Sequence, residues 1–179
     1  MKKVTFITGN EGKVKYLEKY FDVEIPHYNA DVEEIQSLDL QEIVSHKLEQ
    51  AFGQVEGPVL VEDTSVEFLV MGRLPGPLIK WFLEDLSLQD ICDLLHNKNR
   101  DAKVRCMFGY YDGNKKYYFE GVLAGEIATQ PIYGEHGFGW DPIFIPQGYN
   151  TSRAGLDEKS YETTYRLMRP IDELKKFLE

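Results

Sequence analysis

The start of the chain joins a short apolar segment to an amphipathic segment through a polar turn that contains two glycines. Residues 3–7 are largely β-branched or aromatic, which favours a buried β-strand. Val14, Leu17 and Phe21 then follow at the spacing of one face of an α-helix. This order of strand, glycine-containing turn and helix predicts an α/β protein whose first helix begins close to the end of its first strand.

The turn at residues 8–13 is typical of a helix N-terminus that binds an anion. Such a terminus presents free backbone N–H groups and the positive end of the helix dipole, and both suit a phosphate. Asn10 is a good N-cap residue, and Lys13 lies in the first turn, where a cation is favoured only if an anion is bound. A capped helix with a surface lysine stays open as the plainer interpretation. The pattern G-x-x-x-x-G-K-[ST] is absent, which excludes a P-loop.

Charge and cysteine content limit the partners and the compartment. The 179-residue chain has a formal charge of −10, which argues against nucleic-acid and acidic-membrane binding because both require a basic face. Cys92 and Cys106 show neither metal-site spacing nor a disulfide framework, so a cytoplasmic location is expected. The apolar run at residues 4–7 is too short for a signal peptide, and no segment reaches transmembrane length. The length suits one domain, residues 1–179, with two packed lobes.

Two acidic segments supply candidate metal ligands. A helix is predicted at residues 40–52, and a short apolar strand at 59–61 runs directly into Glu62-Asp63-Thr64-Ser65. Carboxylates at the carboxyl end of a buried strand face the crevice in which α/β sheets bind ligands. Asp63, together with Glu34, would provide the oxygen ligands that Mg²⁺ prefers. Acids that only cap the next element remain the alternative.

The middle of the chain predicts further helices and then extended strands. Pro77 is well placed as the first residue of a helix, and Ser87 as the N-cap of another. From Ala102 the apolar residues recur at every second position, which predicts a strand. Returning strands are predicted at residues 116–122 and 124–129, as an antiparallel lobe beside the parallel one.

The segment Gly137-Phe138-Gly139-Trp140-Asp141 is not typical of a core strand or helix. Glycine weakens the interior of a strand but lets the backbone approach a ligand closely. Phe138 and Trp140 offer flat faces for stacking, and Asp141 can accept hydrogen bonds from the edge of a stacked group. These features indicate a clamp for a planar ligand such as a nucleobase. A tight turn with aromatic residues in the core is an equally open interpretation.

Four short motifs follow one another along the chain. They are Thr8-Gly9-Asn10 with Lys13, Val61-Glu62-Asp63-Thr64, Leu74-Pro75-Gly76-Pro77 with Lys80-Trp81-Phe82, and Phe138-Gly139-Trp140-Asp141-Pro142. The same order is seen in the inosine triphosphate pyrophosphatase family, which the chain resembles over nearly its whole length. The resemblance implies a two-lobed α/β fold of the Maf/ITPase kind, with an elongated central mixed β-sheet flanked by helices and an active-site cleft between the lobes.

The resemblance also implies an activity. The family hydrolyses the non-standard purine nucleotides ITP, dITP and XTP to the monophosphate and pyrophosphate, uses Mg²⁺ and forms homodimers. By matching position, Glu34 and Asp63 would hold the metal, Asp63 would act as the base for the attacking water, and Lys13 would be the second catalytic residue. The implied substrate contacts are Thr8, Gly9, Asn10, Glu11, Gly12, Lys13, Lys47, Asp63, Thr64, Lys80, Phe138, Gly139, Trp140, Asp141, Lys159, Tyr165 and Arg166.

The C-terminal motif departs from the family pattern. The family has a lysine followed by Ser-His-Arg, whereas this chain has Lys159 followed by Thr164-Tyr165-Arg166. Tyr165 stands where the histidine would be. Because its hydroxyl both donates and accepts hydrogen bonds, it would either still meet a 6-oxo group or shift the base preference.

Two rival functions remain at this stage. One is a Maf-like pyrophosphatase acting on modified nucleotides, against which the Phe-Gly-Trp-Asp motif argues. The other is a purine-nucleotide sensor that does not hydrolyse its ligand. The retention of Glu34, Asp63 and Lys13 argues against a sensor, because binding alone does not require a carboxylate that activates water.

Overall fold

The computed structural model describes residues 2–33 and 35–179, which fold into a mixed α/β structure. Its strands are β1 (Thr5–Ile7), β2 (His27–Tyr28), β3 (Val59–Phe68), β4 (Pro75–Gly76), β5 (Asp101–Tyr111), β6 (Lys116–Ile127) and β7 (Phe144–Pro146). Its α-helices are α1 (Glu11–Phe21), α2 (Leu40–Phe52), α3 (Ile79–Asp85), α4 (Leu88–Asp93), α5 (Glu158–Met168) and α6 (Ile171–Leu178). Short 3₁₀ turns lie at Leu69–Met71, Asp141–Ile143 and Arg153–Gly155.

The strands form one sheet in the order β2-β1-β3-β5-β6-β7, and β4 pairs with β3 outside that order. β1 is parallel to both β2 and β3, whereas the pairs β3–β4 and β6–β7 are antiparallel. The predicted α/β fold with a mixed sheet is therefore confirmed. The chain divides into two compact units, the first made of Met1–Asp63, Cys106–Glu120 and Pro170–Glu179 and the second of Thr64–Arg105 and Gly121–Arg169.

The core of the first unit is built on α2, whose apolar residues lie on one face of the helix. Asp39 caps α2 by accepting hydrogen bonds from the backbone N–H groups of Gln41 and Glu42. Gly109 allows close packing, because a Cβ at that position would lie 2.4 Å from Val44 Cγ1. The buried cluster comprises Ile7, Leu40, Val44, Leu48, Ala51, Val59, Val61 and Met107. The predicted helix at residues 40–52 is confirmed.

The second unit contains α3, α4 and α5. Ser87 caps α4 as predicted, because its hydroxyl accepts a hydrogen bond from Asp90 N while the Asp90 carboxylate accepts one from Ser87 N. Arg100 donates hydrogen bonds to the backbone carbonyl of Cys92, in the last turn of the same helix, and to that of Leu95, just beyond its end. The N-terminus of α4 is thus stabilised by the Ser87–Asp90 capping box, and its last turn by the Arg100 guanidinium.

The prediction that the acids follow a short strand at 59–61 is wrong. β3 continues to Phe68, so Glu62 and Asp63 lie inside the strand. The strand accommodates its charged residues because they have ionic partners. Within the second unit, Glu67 is almost fully buried and lies 3.1 Å from Lys103 Nζ and 3.3 Å from Arg105 Nη1. A buried charge is tolerated when it has ionic partners, and partners distant in sequence are not visible in a local pattern.

Three other boundaries differ from the sequence pattern. Pro77 does not begin α3, because Pro75 and Gly76 pair with β3 as a short strand and the helix starts at Ile79. The returning segment forms the single strand β6 rather than two strands. The third difference is the helix α5, of which the sequence pattern gave no indication. None of the helices in the part of the chain described is both long and apolar enough to span a membrane.

Candidate active site

The predicted helix N-terminus is present at α1. Asn10 is the N-cap, and its Oδ1 accepts a hydrogen bond from Lys13 N at 3.3 Å. Thr8 Oγ1 in turn accepts one from Asn10 N at 3.0 Å. Gly9 fits tightly into this turn, because a Cβ there would lie 2.7 Å from Asn29 Oδ1. The turn is thus held by its own side chains in the conformation that leaves helix N–H groups at the end of β1.

Lys13 extends to a carboxylate on β3. Its Nζ lies 3.4 Å from Glu62 Oε1, and the Glu62 side chain is only 2% exposed. The Cys106 thiol donates a hydrogen bond to the same oxygen at 3.3 Å. A carboxylate so deeply buried is stable only with such partners. Glu62 was absent from the predicted site residues, although its position next to Asp63 in a strand was a signal that could have included it.

Asp63, the next residue of β3, has a different lysine partner. Lys47 Nζ on α2 donates a hydrogen bond to Asp63 Oδ2 at 2.6 Å. The two side chains are 13% and 20% exposed, so the pair is sheltered but not sealed from solvent. The sequence pattern alone placed Lys47 away from the centre of the apolar stripe of α2. The structure brings Lys47 to the carboxylate expected to activate water.

The carboxylate chemistry of this group fits a hard cation. Mg²⁺ is usually held by one or two carboxylates together with substrate phosphate oxygens and water, and Asp63 provides such oxygens. Glu34, the second predicted metal ligand, lies outside the described residues. Among residues 2–33 and 35–179, no three His, Cys, Asp or Glu side chains are grouped so as to hold a metal by themselves.

In the second unit, the loop of residues 137–141 leads into a 3₁₀ turn. Phe138 is 79% exposed, which leaves a flat aromatic face available to a ligand. The Trp140 ring packs edge-on against Phe144 with the ring centres 5.7 Å apart. Asp141 is only 4% exposed, and its Oδ2 accepts hydrogen bonds from Phe138 N at 3.0 Å and from the Tyr161 hydroxyl at 3.2 Å. The buried Asp141 carboxylate thus holds the backbone of the loop in place at Phe138.

Arg153 completes the environment of Asp141. Its Nε donates to Asp141 Oδ1 at 2.7 Å, and its Nη1 donates to Thr164 Oγ1 on α5 at 2.6 Å. Arg153 is 1% exposed, an unusual degree of burial for arginine. The sequence gave no signal for this residue, because a single arginine in a polar segment normally lies on the surface.

The remaining predicted residues of the second unit lie on helices and on β3. Lys159 and Arg166 are exposed on α5, whereas Tyr165 is only 5% exposed and its ring packs against the guanidinium of Arg169 at 4.3 Å. Lys80 is exposed on α3, and Thr64 is half-buried in β3. The positive and aromatic groups needed for a nucleotide are thus present, but Tyr165 offers little surface of its own.

Fold and side chains together define an α/β protein that combines a helix N-terminus suited to an anion, lysine-paired carboxylates on the neighbouring strand and an exposed aromatic loop. The chain belongs to the Ham1 family, because the model of that family's sequences matches residues 4–176.

Related proteins match along almost the full length. An inosine triphosphate pyrophosphatase of Scheffersomyces stipitis is 35% identical over 194 residues, which cover 99% of this chain and 98% of the relative. A protein of the same name from Schizosaccharomyces pombe is 34% identical over 185 residues, covering 100% of this chain and 96% of the relative. The solved structure of the Staphylococcus aureus Ham1 protein has a TM-score of 0.84 at 26% identity and covers 99% of this chain and 98% of its own. The family resemblance inferred from the four motifs is confirmed.

Proposed function

We propose that this protein is a nucleoside triphosphate pyrophosphatase that removes ITP, dITP and XTP from the nucleotide pool by releasing pyrophosphate. The observation that carries the proposal is the pair of lysine–carboxylate contacts on β3, Lys13 with Glu62 and Lys47 with Asp63. Membership of the Ham1 family supports the same proposal, because relatives of this chain bear the name inosine triphosphate pyrophosphatase.

The α1 N-terminus would bind the phosphate chain. The backbone N–H groups of Glu11 and Gly12, in the first turn of α1, and the side chains of Thr8 and Asn10 would supply donors, and Lys13 would supply a positive charge. A phosphate bound there also makes a lysine in the first helical turn favourable, which the helix dipole alone does not. Lys47 and Lys80 are the further cations assigned to the phosphates.

Asp63 would be the group that orients and deprotonates the attacking water. Attack at the α-phosphorus breaks the bond between the α-phosphorus and the bridging oxygen, so pyrophosphate leaves and the water oxygen stays with the nucleoside monophosphate. Such reactions depend mainly on positioning and on neutralising the charge of the phosphates. The hydrogen bond from Lys47 fixes the orientation of the Asp63 carboxylate, which is a condition for a positioned base.

Magnesium is the proposed cofactor. Asp63 and Glu34 are the residues that would hold it, and the bound ion would neutralise negative charge on the leaving pyrophosphate. Lys13, held by buried Glu62, would add charge of the same sign from a fixed direction. The proposed location is the cytoplasm and the proposed assembly is a homodimer. Both cysteines are buried free thiols, which suits a reducing compartment.

The purine would be bound by the loop at residues 137–141 and by α5. Phe138 has an exposed face for stacking, and Gly139 allows the backbone to approach the base. Lys159 and Arg166 are exposed on α5 and are the remaining proposed ligand contacts. Selection against adenine would follow if donors meet the 6-oxo group, because a 6-amino group would leave them unpaired.

Product analysis tests this proposal. Purified protein is incubated with ITP and Mg²⁺ in ¹⁸O-labelled water, and the products are separated and weighed by mass spectrometry. The proposal predicts equal amounts of IMP and pyrophosphate, with the label in IMP. Formation of IDP and orthophosphate would contradict it, and so would the absence of any product.

A further inference from the structure

We infer that Arg153 is a positioning residue for purine recognition, which it serves by tying the aromatic loop at residues 137–141 to helix α5. The inference rests on the proposed function, in which this loop and this helix contact the base. Arg153 itself is too deeply buried to be a contact residue, since only 1% of it is exposed.

The guanidinium makes two directional bonds to two separate elements. Nε donates to Asp141 Oδ1 at 2.7 Å, at the end of the loop, and Nη1 donates to Thr164 Oγ1 at 2.6 Å, on α5. Arginine presents its donors in a rigid planar fork, so the two bonds fix the loop and the helix at one separation and one angle. A lysine has a single nitrogen and cannot reproduce this geometry.

Aromatic rings further restrict the guanidinium. Its central carbon lies 4.5 Å from the centre of the Tyr161 ring and 5.8 Å from that of Trp140. Tyr161 also donates its hydroxyl to Asp141 Oδ2, the oxygen that holds Phe138 N. The exposed Phe138 face and Trp140 are therefore connected to Arg153 through Asp141 and through direct ring contact.

The helix side of the connection reaches the other proposed contacts. Thr164 directly precedes Tyr165 and Arg166, the residues that stand in the position of the family's base-contacting motif. Their orientation follows from that of α5, and Arg153 holds α5 by the Thr164 hydroxyl. A core that needed only stability would be served as well by apolar residues, because a buried ion pair is seldom more stabilising than a well-packed apolar group.

The Thr164 hydroxyl allows a test that leaves the Arg153–Asp141 ion pair in place. Thr164→Val removes the acceptor of Arg153 and also the hydroxyl's own bond to Tyr161 O at 2.9 Å. Thr164→Ser retains a hydroxyl and serves as the rescue variant. Thr163→Val is the matched control, because Thr163 is exposed and its hydroxyl bonds only a carbonyl of its own helix, Lys159 O, at 2.8 Å.

Steady-state rates of pyrophosphate release are measured for ITP and for ATP with each protein. We expect Thr164→Val to raise the KM for ITP about tenfold with kcat nearly unchanged, and to reduce the preference for ITP over ATP by a similar factor. Thr164→Ser should recover most of both losses, and Thr163→Val should match the wild type. Arg153→Lys should lose the preference for ITP even where its melting temperature stays close to that of the wild type.

The outcomes separate this inference from the proposed function. If the wild-type protein releases pyrophosphate from ITP but Thr164→Val and Arg153→Lys keep its KM and its base preference, the inference is overturned and the proposed function stands. An equal loss of kcat for ITP and ATP, tracking a lower melting temperature, would also overturn it, because that is the signature of a purely structural role. Failure of the wild-type protein to act on ITP would overturn the proposed function and this inference with it.

Discussion

Lys47 Nζ donates a hydrogen bond to Asp63 Oδ2 at 2.6 Å, which joins the middle of α2 to the middle of β3. The Asp63 carboxylate is therefore held in one orientation while a fifth of its side chain remains exposed. A carboxylate that is both fixed and reachable by water is what a general base requires. The same contact explains why Lys47 is half-buried on a helix whose other charged residues face solvent.

Replacing Asp63 by asparagine should separate chemistry from binding. Asp63→Asn keeps the size and polarity of the side chain but removes the basic oxygen, so kcat for ITP should fall at least about 100-fold. Calorimetric titration with IMP should show an affinity within a few-fold of the wild type. A variant that retains wild-type kcat would rule out the role of Asp63 as the base.

Lys13 should contribute mainly to binding of the phosphates. Lys13→Gln removes the charge that Glu62 holds in place, and the KM for ITP should rise about tenfold or more, the usual effect of losing one charge-assisted hydrogen bond. Lys15→Gln is the matched control, since Lys15 is exposed on the same helix. Equal KM values for the two variants would show that Lys13 does not contribute to phosphate binding.

The Cys92 thiol should be inert towards alkylation in the folded protein. Burial raises its pKa to about 11, against a smaller opposing effect of the nearby Arg100 guanidinium. At pH 8 only about one thiol in a thousand would then be the reactive thiolate, and the fraction would increase tenfold for each unit of higher pH. Iodoacetamide labelling followed by mass spectrometry checks this, with guanidinium-unfolded protein as the positive control. Rapid labelling of native protein at pH 8 would refute it.

Gly109 should be essential for the packing of α2 on β5. In Gly109→Ala the new methyl group would lie 2.4 Å from Val44 Cγ1, and relieving that overlap should lower the free energy of unfolding by about 1–3 kcal/mol. Gly53→Ala is the matched control, because a Cβ there would only come within an ordinary 3.7 Å of Gln50 O. Urea unfolding of both variants measures the difference. Equal stability of the two would show that the packing at Gly109 is looser than described.

Local features of the sequence were sufficient for some elements. The helix at residues 40–52 and the Asn10 cap follow from apolar spacing and from the preference of Asn for N-cap positions, both of which are properties of neighbouring residues. The strand β5 was predicted for the same reason, because its apolar residues recur at every second position over a long stretch.

Features that depend on distant partners were not predictable. β3 continues past its acids because Lys103 and Arg105, far along the chain, neutralise Glu67. Arg153 is buried for a similar reason, since it finds Asp141 and Thr164 only in the folded chain. Any local rule assigns such charged residues to the surface.

The candidate site divides in the same way. The residue types of the α1 turn and of β3 indicated phosphate and metal chemistry, but the pairing of Lys13 with Glu62 had no local signal. Asp141 was expected at the edge of the base, whereas its oxygens are occupied by Arg153, Tyr161 and the backbone of Phe138. Its direct contact with a base stays a prediction.

Substrate preference is the most direct test of the proposed function. Initial rates of pyrophosphate release should be measured with Mg²⁺ for ITP, dITP and XTP and compared with those for ATP, GTP and CTP. We expect kcat/KM for the non-standard purines to exceed that for ATP at least about 100-fold, the discrimination available when donors meet a 6-oxo group. A kcat/KM for ATP comparable to that for ITP, or no release of pyrophosphate from any of the six nucleotides, would contradict it.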